Sequence, residues 1–212
     1  MSILSVLFPN RCPYCNEIIK TNETECSECR DKFPSVLYIK KLDIGNTCVS
    51  AFIYDGAVRD AIHSLKFRNG TFNAKSFSKQ MYRAVGMACK CEDIDIVTSV
   101  PMYKASKRER GYNQAELLAR ETARLLGKPY KELLKKTKKN RVQHELSGEQ
   151  RKKNVLGVYS VKDAEIIKGK NILLVDDVCT TGSTLSECSR VIFECSPSDV
   201  LCVCAAETKM DL

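Results

Sequence analysis

Two carboxylates, Asp176 and Asp177, stand side by side after the aliphatic run "NILLV", and Thr180, Thr181, Gly182, Ser183 and Thr184 follow almost at once. Adjacent acids in an apolar setting repel each other, so they lower stability unless a cation or a hydroxyl-bearing ligand uses them. The turn that follows leads into a helical pattern. Gly182 lets a ligand approach the backbone, hydroxyls and N–H groups offer donors, and a helix start favours an anion. A pair of acceptors beside a phosphate cradle suits a sugar phosphate, with carboxylates to ribose hydroxyls and the phosphate to the loop. A Walker A loop needs GxxxxGK[ST] and a dinucleotide-binding turn needs GxGxxG; the sequence contains neither. Helix capping by Thr180 and Ser183, with Asp176 as a turn residue, accounts for one acid but leaves Asp177 and the rest of the hydroxyl run without a purpose.

Four cysteines form a second set. Cys12 and Cys15, then Cys26 and Cys29, make two CxxC knuckles with ten residues between them. Four thiolates close a tetrahedral Zn2+ with no open position, which makes the site structural. A redox CxxC is the weaker reading, because two pairs occur together and neither ends a strand in a βαβ pattern. A segment this short buries little core, so the metal is expected to supply much of its stability. Cys188, Cys195, Cys202 and Cys204 fall in apolar patterns and read as small buried hydrophobes. Cys89 and Cys91 flank Lys90 and suggest no role.

These residues need elements to position them. The chain has 212 residues, 43% hydrophobic and 28% charged, which fits one medium domain plus a small module. The predicted division is a zinc-ribbon module over 1–42 and an α/β domain over 43–212. Strand patterns are read at "NTCVSAFIYDG", "DIVTSVP", "NVLGVYSV", "NILLVDD" and "DVLCVCAA", and helical spacing at "AVRDAIHSLKF", "FSKQMYRAVGMA", "NQAELLARETARLLG" and "STLSECSRVIFEC". Alternation of strands and helices predicts a parallel sheet with helices on both faces. "NILLV" lacks polar alternation and should be buried on both sides. Ile3, Leu4, Leu7 and Phe8 have helical spacing and are expected to pack on the body of the protein.

The net charge of +8 is uneven: residues 104–153 hold 16 Lys/Arg against 6 Asp/Glu, leaving 18 against 20 elsewhere. Such a block suits a polyanion, or else forms a solvated helical face. No run reaches the roughly 18 apolar residues of a membrane span. The start lacks a basic n-region and a cleavage site, so the cysteines are expected to be thiols and metal ligands in a reducing cytoplasm.

"ILLVDDVCTTGST" resembles the phosphoribosyl pyrophosphate (PRPP) motif of type I phosphoribosyltransferases, departing from it at Cys179. The order of a four-cysteine ribbon, "YDGAVRDAIHSLKFRNG", "VPMYKASKRERGYNQAELLA" and "RVQHELSGEQRKKNVLGVY" is similar to the ComF/ComFC family of competence-associated, phosphoribosyltransferase-like proteins. The resemblance implies a type I phosphoribosyltransferase-like sheet behind a zinc ribbon. It implies that Asp176 and Asp177 contact the ribose 2- and 3-hydroxyls and that Thr180, Thr181, Gly182, Ser183 and Thr184 hold the 5-phosphate. Lys104, Lys107, Arg108 and Arg110 become candidates for the diphosphate, Arg110 foremost. Arg141, Gln143, Arg151 and Asn154 fall in what resembles a mobile catalytic loop, which would exclude water. Mg2+ would bridge diphosphate and ribose hydroxyls, and Arg and Lys would neutralise the departing diphosphate. None of this requires histidine: His63 reads as structural, and His144 falls in the loop segment. Two expectations stand side by side: a phosphoribosyltransferase of unspecified acceptor, and a non-enzymatic protein that uses the basic block to bind single-stranded DNA with the competence machinery.

Overall fold

Strands buried on both faces have no solvent side to supply polar residues, and "NILLV" forms the middle of such a strand. The computed structural model of the protein describes residues 9–33, 36–67, 71–138 and 155–208. Strands β1 (Tyr38–Lys41), β2 (Thr47–Ile53), β3 (Ile96–Ser99), β6 (Asn171–Cys179) and β7 (Asp199–Glu207) make one sheet in the order β1-β2-β7-β6-β3. β1 runs antiparallel to β2, and the other pairings are parallel. A separate antiparallel pair joins β4 (Leu134–Lys136) to β5 (Tyr159–Val161). β1 lies before the expected boundary at residue 42 and is nevertheless the edge strand of the main sheet.

The period-2 alternation of the strands sorts the core into two layers. Val49, Leu173, Val175, Val203 and Ala205 face α2 (Gly56–Phe67), α3 (Thr71–Ala88) and α5 (Gln114–Leu126), where Ile62, Phe77 and Leu118 cover them. Cys48, Leu174, Cys202 and Cys204 face the other way, against Leu185, Cys188 and Ile192 of α6 (Ser183–Phe193). The parallel sheet with helices on both faces is thus present. Asn113 caps α5 by accepting from Ala115 N–H at 3.1 Å, and Gly127 closes it in a left-handed conformation.

The structure departs from the sequence pattern in three places. "NVLGVYSV" forms a strand only over β5, because Gly157 takes a left-handed φ of 68° just ahead of it. The basic stretch contains a short helix, α4 (Lys104–Arg110), that apolar spacing does not signal. β6 does not stop at the acidic pair but continues to Cys179. The expected packing of Ile3, Leu4, Leu7 and Phe8 lies outside the described residues.

The ribbon carries one short helix, α1 (Ser27–Lys32), and docks on α3. Tyr14, between the first two cysteines, places its ring 5.1 Å from Phe33, 5.8 Å from Phe52 and 5.9 Å from Phe77, centroid to centroid. Its hydroxyl shares a 3.1 Å hydrogen bond with Ser76, and burial raises its pKa. Glu25 is also buried there; Ser76 and Gln80 donate to it at 3.4 and 3.3 Å, with Lys79 and Arg30 at 3.6 and 3.7 Å. A buried carboxylate is stable only when paired and hydrogen-bonded in this way. Among the described residues, no helix is long and apolar enough to cross a membrane.

Candidate functional site

β3 ends at Ser99, opposite Val175 of β6, and Val100 N–H makes the last bond to Val175 C=O at 2.9 Å. On the other side β7 accompanies β6 as far as Glu207, opposite Cys179. From Asp176 onward β6 therefore has a strand neighbour on one side only, among the described residues. This opening lies at the carboxyl ends of parallel strands, where ligands of such sheets bind. The acidic pair occupies it.

Both acids are buried. Asp176 lies in register with Cys204, and its own Oδ1 accepts from Asp177 N–H at 2.9 Å. Burial, reinforced by the neighbouring carboxylate, raises the pKa of Asp176 well above the usual range. Asp177 differs. Burial alone would raise its pKa, but the Lys66 ammonium lies 2.6 Å from Oδ2 and holds it below the ordinary value. Lys66 ends α2; burial works against its charge, and Asp177 more than offsets this, raising its pKa. Two adjacent acids are thus divided electrostatically, one with its pKa raised by burial and its neighbour, the other with its pKa lowered by a counter-ion.

The loop after β6 is tightly held. Lys40 of β1 donates to Thr180 C=O at 2.5 Å, and Thr208 N–H donates to Cys179 C=O at 3.1 Å. The hydroxyls of Thr181 and Ser183 share a 2.8 Å hydrogen bond. Gly182 has φ 82°, which disfavours a side chain, and a Cβ there would come within 2.7 Å of Leu42 Cδ2, so the end of the Leu42 side chain would have to shift. Gly182 C=O accepts from Ser186 N–H at 2.8 Å as α6 begins. The Thr184 side chain lies beside Tyr159 of β5. Under the loop, the Cys179 thiol lies within hydrogen-bonding reach of Cys204 and Cys48, which lower its pKa. Cys48 and Cys204 are 3.9 Å apart, sulfur to sulfur, and all three residues are essentially inaccessible.

The basic residues expected at the diphosphate are not gathered in one place. Arg110 stacks over Phe67 of α2, 4.9 Å from the ring centroid, and donates to Gln114 at 2.6 Å. Lys107 turns to Glu116 at 2.7 Å, and Glu116 also meets Arg120 at 2.9 Å. Lys104 and Lys107 line a cavity of about 300 Å³ to which none of Asp176 to Thr184 contributes. Arg108 is exposed. Arg141, Gln143, Arg151 and Asn154, with His144, lie outside the described residues. His63 is exposed on α2, its ring 4.9 Å from that of Phe67.

Two residues at the site escape sequence reasoning. Lys66 sits beside an apolar stripe on a helix far from the acidic pair in sequence. Lys136 on β4 places its ammonium 5.4 Å from the Tyr159 ring, and burial pulls its pKa down. Lys66 is visible in the sequence only as a cation next to buried Leu65, and Lys136 only as one lysine in a basic run.

In the ribbon, the ligand atoms of Cys12, Cys15, Cys26 and Cys29 all lie within 4.8 Å of one another. A tetrahedral ion with metal–sulfur bonds of about 2.3 Å places its sulfurs about 3.8 Å apart, so this cage fits zinc. Cys29 N–H already donates to Cys26 sulfur at 3.4 Å, a backbone contact that orients the ligand.

Comparison with known proteins agrees with this geometry. Residues 113–211 match the phosphoribosyl transferase domain model, and residues 3–38 match the double zinc ribbon domain model. The latter span contains four cysteines in this chain, enough for one four-thiolate cage. The chain is 26% identical over 204 residues to the DNA utilization protein YhgH of Escherichia coli K12, covering 91% of this chain and 89% of the relative. It is 28% identical over 186 residues to competence protein F of Haemophilus influenzae, covering 85% and 77%. It is 26% identical over 147 residues to competence protein ComFC of Bacillus subtilis, covering 68% and 57%.

Proposed function

Because this chain belongs to the ComF family, with a phosphoribosyltransferase-like domain behind a four-cysteine zinc ribbon, we propose that it binds PRPP with Mg2+ at the open carboxyl edge of β6. One observation carries this reading: a buried acidic pair, beyond the end of β3, runs directly into a hydroxyl-lined loop whose Gly182 takes a left-handed φ that disfavours a side chain. Asp176 and Asp177 take the ribose 2- and 3-hydroxyls, and Thr180 to Thr184 with the start of α6 take the 5-phosphate. Arg110 is the cation for the diphosphate, and Mg2+, held beside Asp176 and Asp177 together with the bound ligand, would supply further positive charge to neutralise the diphosphate. If turnover occurs, it transfers the phosphoribosyl group to an acceptor as C1 gains positive charge and the diphosphate departs. Fixed cations stabilise the departing anion and fixed carboxylates the ring.

The test is thermal protection by PRPP and Mg2+ in the wild type and in Asp177→Asn. Protection of the wild type alone supports the site. Equal protection of both proteins, or of neither, sinks it. Pyrophosphate release from PRPP, with and without candidate bases, separates turnover from binding.

A second role is favoured by the names of the relatives, which concern competence and DNA utilization, and by the basic block over 104–153. In that role the chain acts in DNA uptake and processing inside the cell, and lysines and arginines track a single-stranded backbone. Affinity for single strands across a salt series tests it. A steep loss with salt that disappears in a Lys107, Arg108, Arg110 triple alanine variant supports the role, and no binding at low salt removes it.

A further inference from the structure

We propose that Lys40 is a positioning residue for the 5-phosphate: from β1 it braces the loop after β6 in the shape that offers backbone N–H groups to the anion. The role of the ligand rests on the sugar-phosphate reading above; the brace itself rests on contacts within the chain. Lys40 and Thr180 are 140 residues apart in sequence, yet the Lys40 ammonium donates to Thr180 C=O at 2.5 Å. A hydrogen bond from a charged donor is shorter than a neutral one and about twice as strong. A carbonyl oxygen is the backbone group that repels a phosphate, and at the start of this loop the ammonium holds it. Beyond Thr180, the N–H groups of Thr181, Gly182 and Thr184 have no acceptor among the described residues, and Ser183 N–H reaches the Thr181 hydroxyl at 3.4 Å. Such leftover donors at the start of a helix are those an anion takes.

The brace touches the loop at two points. Residues two apart on a strand share one face, and Leu42 lies two beyond Lys40, just past the end of β1. Leu42 is buried in the same layer as Cys179 and Leu185, and its Cδ2 is the atom nearest to where a Cβ on Gly182 would stand. Lys40 therefore grips the loop at Thr180 while Leu42 supports it at Gly182. β1 is itself fixed. It pairs antiparallel with β2, Lys40 opposite Cys48, and Leu42 N–H donates to Asn46 C=O at 2.9 Å across the turn that follows. The intervening Lys41 turns to the Thr47 hydroxyl, also at 2.9 Å. Lys40 brings charge as well as a bond. Among the described residues, the lysines in ion pairs are Lys66, Lys79, Lys107, Lys162 and Lys170. Lys40 is not one of them, so no carboxylate in contact cancels its charge beside the loop.

The experiment compares wild type, Lys40→Met and Lys40→Arg, each as the zinc-loaded full chain. Methionine keeps the apolar stem and removes donor and charge; arginine keeps both. Without ligand, amide exchange over residues 178–186 should be about tenfold faster or more in Lys40→Met. It should stay near the wild-type rate in Lys40→Arg, and exchange in α3 should not change in either. Calorimetric titration with PRPP and Mg2+ should show affinity about tenfold weaker in Lys40→Met and largely restored in Lys40→Arg. Lys40→Gln, uncharged and shorter, serves in place of Lys40→Met if that variant folds poorly. Three results each overturn the proposal: unchanged loop exchange, faster loop exchange with unchanged PRPP affinity, or acceleration that spreads equally to α3. Failure of the function proposed above reads differently. A wild type that does not bind PRPP sinks that function and the phosphate role of Lys40 with it, while faster loop exchange in Lys40→Met would still mark the brace.

Discussion

Replacing Lys66 by methionine keeps the length of the side chain and removes the only charge that ion-pairs with Asp177 among the described residues. The pair is short, 2.6 Å, and little exposed, with 22% of the Lys66 side chain and 8% of Asp177 accessible. Taking one partner from a buried pair strands the other charge, at a cost of about 3 kcal/mol at neutral pH. That is roughly a hundredfold in the folding equilibrium, and it leaves an ordinary domain folded. In Lys66→Met/Asp177→Asn no charge is stranded, so most of the loss should return. Urea unfolding of the four proteins gives the coupling directly. The pH dependence follows from the pKa directions. Asp177 has a depressed pKa, so its stabilising effect is present above the unfolded value of about 3.9 and is lost as pH falls through the folded one. Lys66 has a raised pKa, so its effect is present below about 10.4 and is lost as pH rises through the folded value. The penalty of Lys66→Met is therefore greatest between these limits and shrinks in acid, where Asp177 takes up a proton. A coupling below about 0.5 kcal/mol, the level of an exposed pair, or a penalty independent of pH, would refute this account.

Two further predictions concern the elements that hold the site. Gly182→Ala should lose about 2 kcal/mol in urea unfolding, because a φ of 82° disfavours a side chain and Leu42 Cδ2 stands 2.7 Å from the new Cβ. Adding Leu42→Ala should relieve the contact but not the backbone, so an unstrained single variant would contradict the geometry. Removing zinc with a chelator, or Cys29→Ser, should lower the midpoint of the whole chain by about 5 °C or more in a single transition. An unchanged midpoint would show that the ribbon is energetically separate.

The parts of the site legible in the sequence are those whose neighbours are close in the chain. The knuckle spacing of Cys12 to Cys29 and the run from Asp176 to Thr184 each bring chemistry together over a few residues, and local geometry suffices to read them. The aliphatic core of β6 is equally plain, since burial on both faces leaves no polar alternation. Lys66, Lys136 and Lys40 are different: each reaches the site through packing of an element distant in sequence, and a lone lysine carries no periodic signal. The separation of Lys104 and Lys107 from Arg110 was likewise hidden, because it depends on the rotation of a short helix and on where Glu116 and Phe67 stand. β4 and β5 are three residues each, too short for alternation to show.

The sulfurs of Cys48, Cys179 and Cys204 lie sealed beneath the bend that follows β6, with at most 1% of each residue accessible. A thiol reagent in solution can reach them only when that part of the sheet parts from its cover. Their labelling rate is therefore a clock for local opening, read without introducing a probe. Any ligand that steadies the bend should slow the clock, while the exposed Cys15 reports separately on the ribbon when its metal is withdrawn.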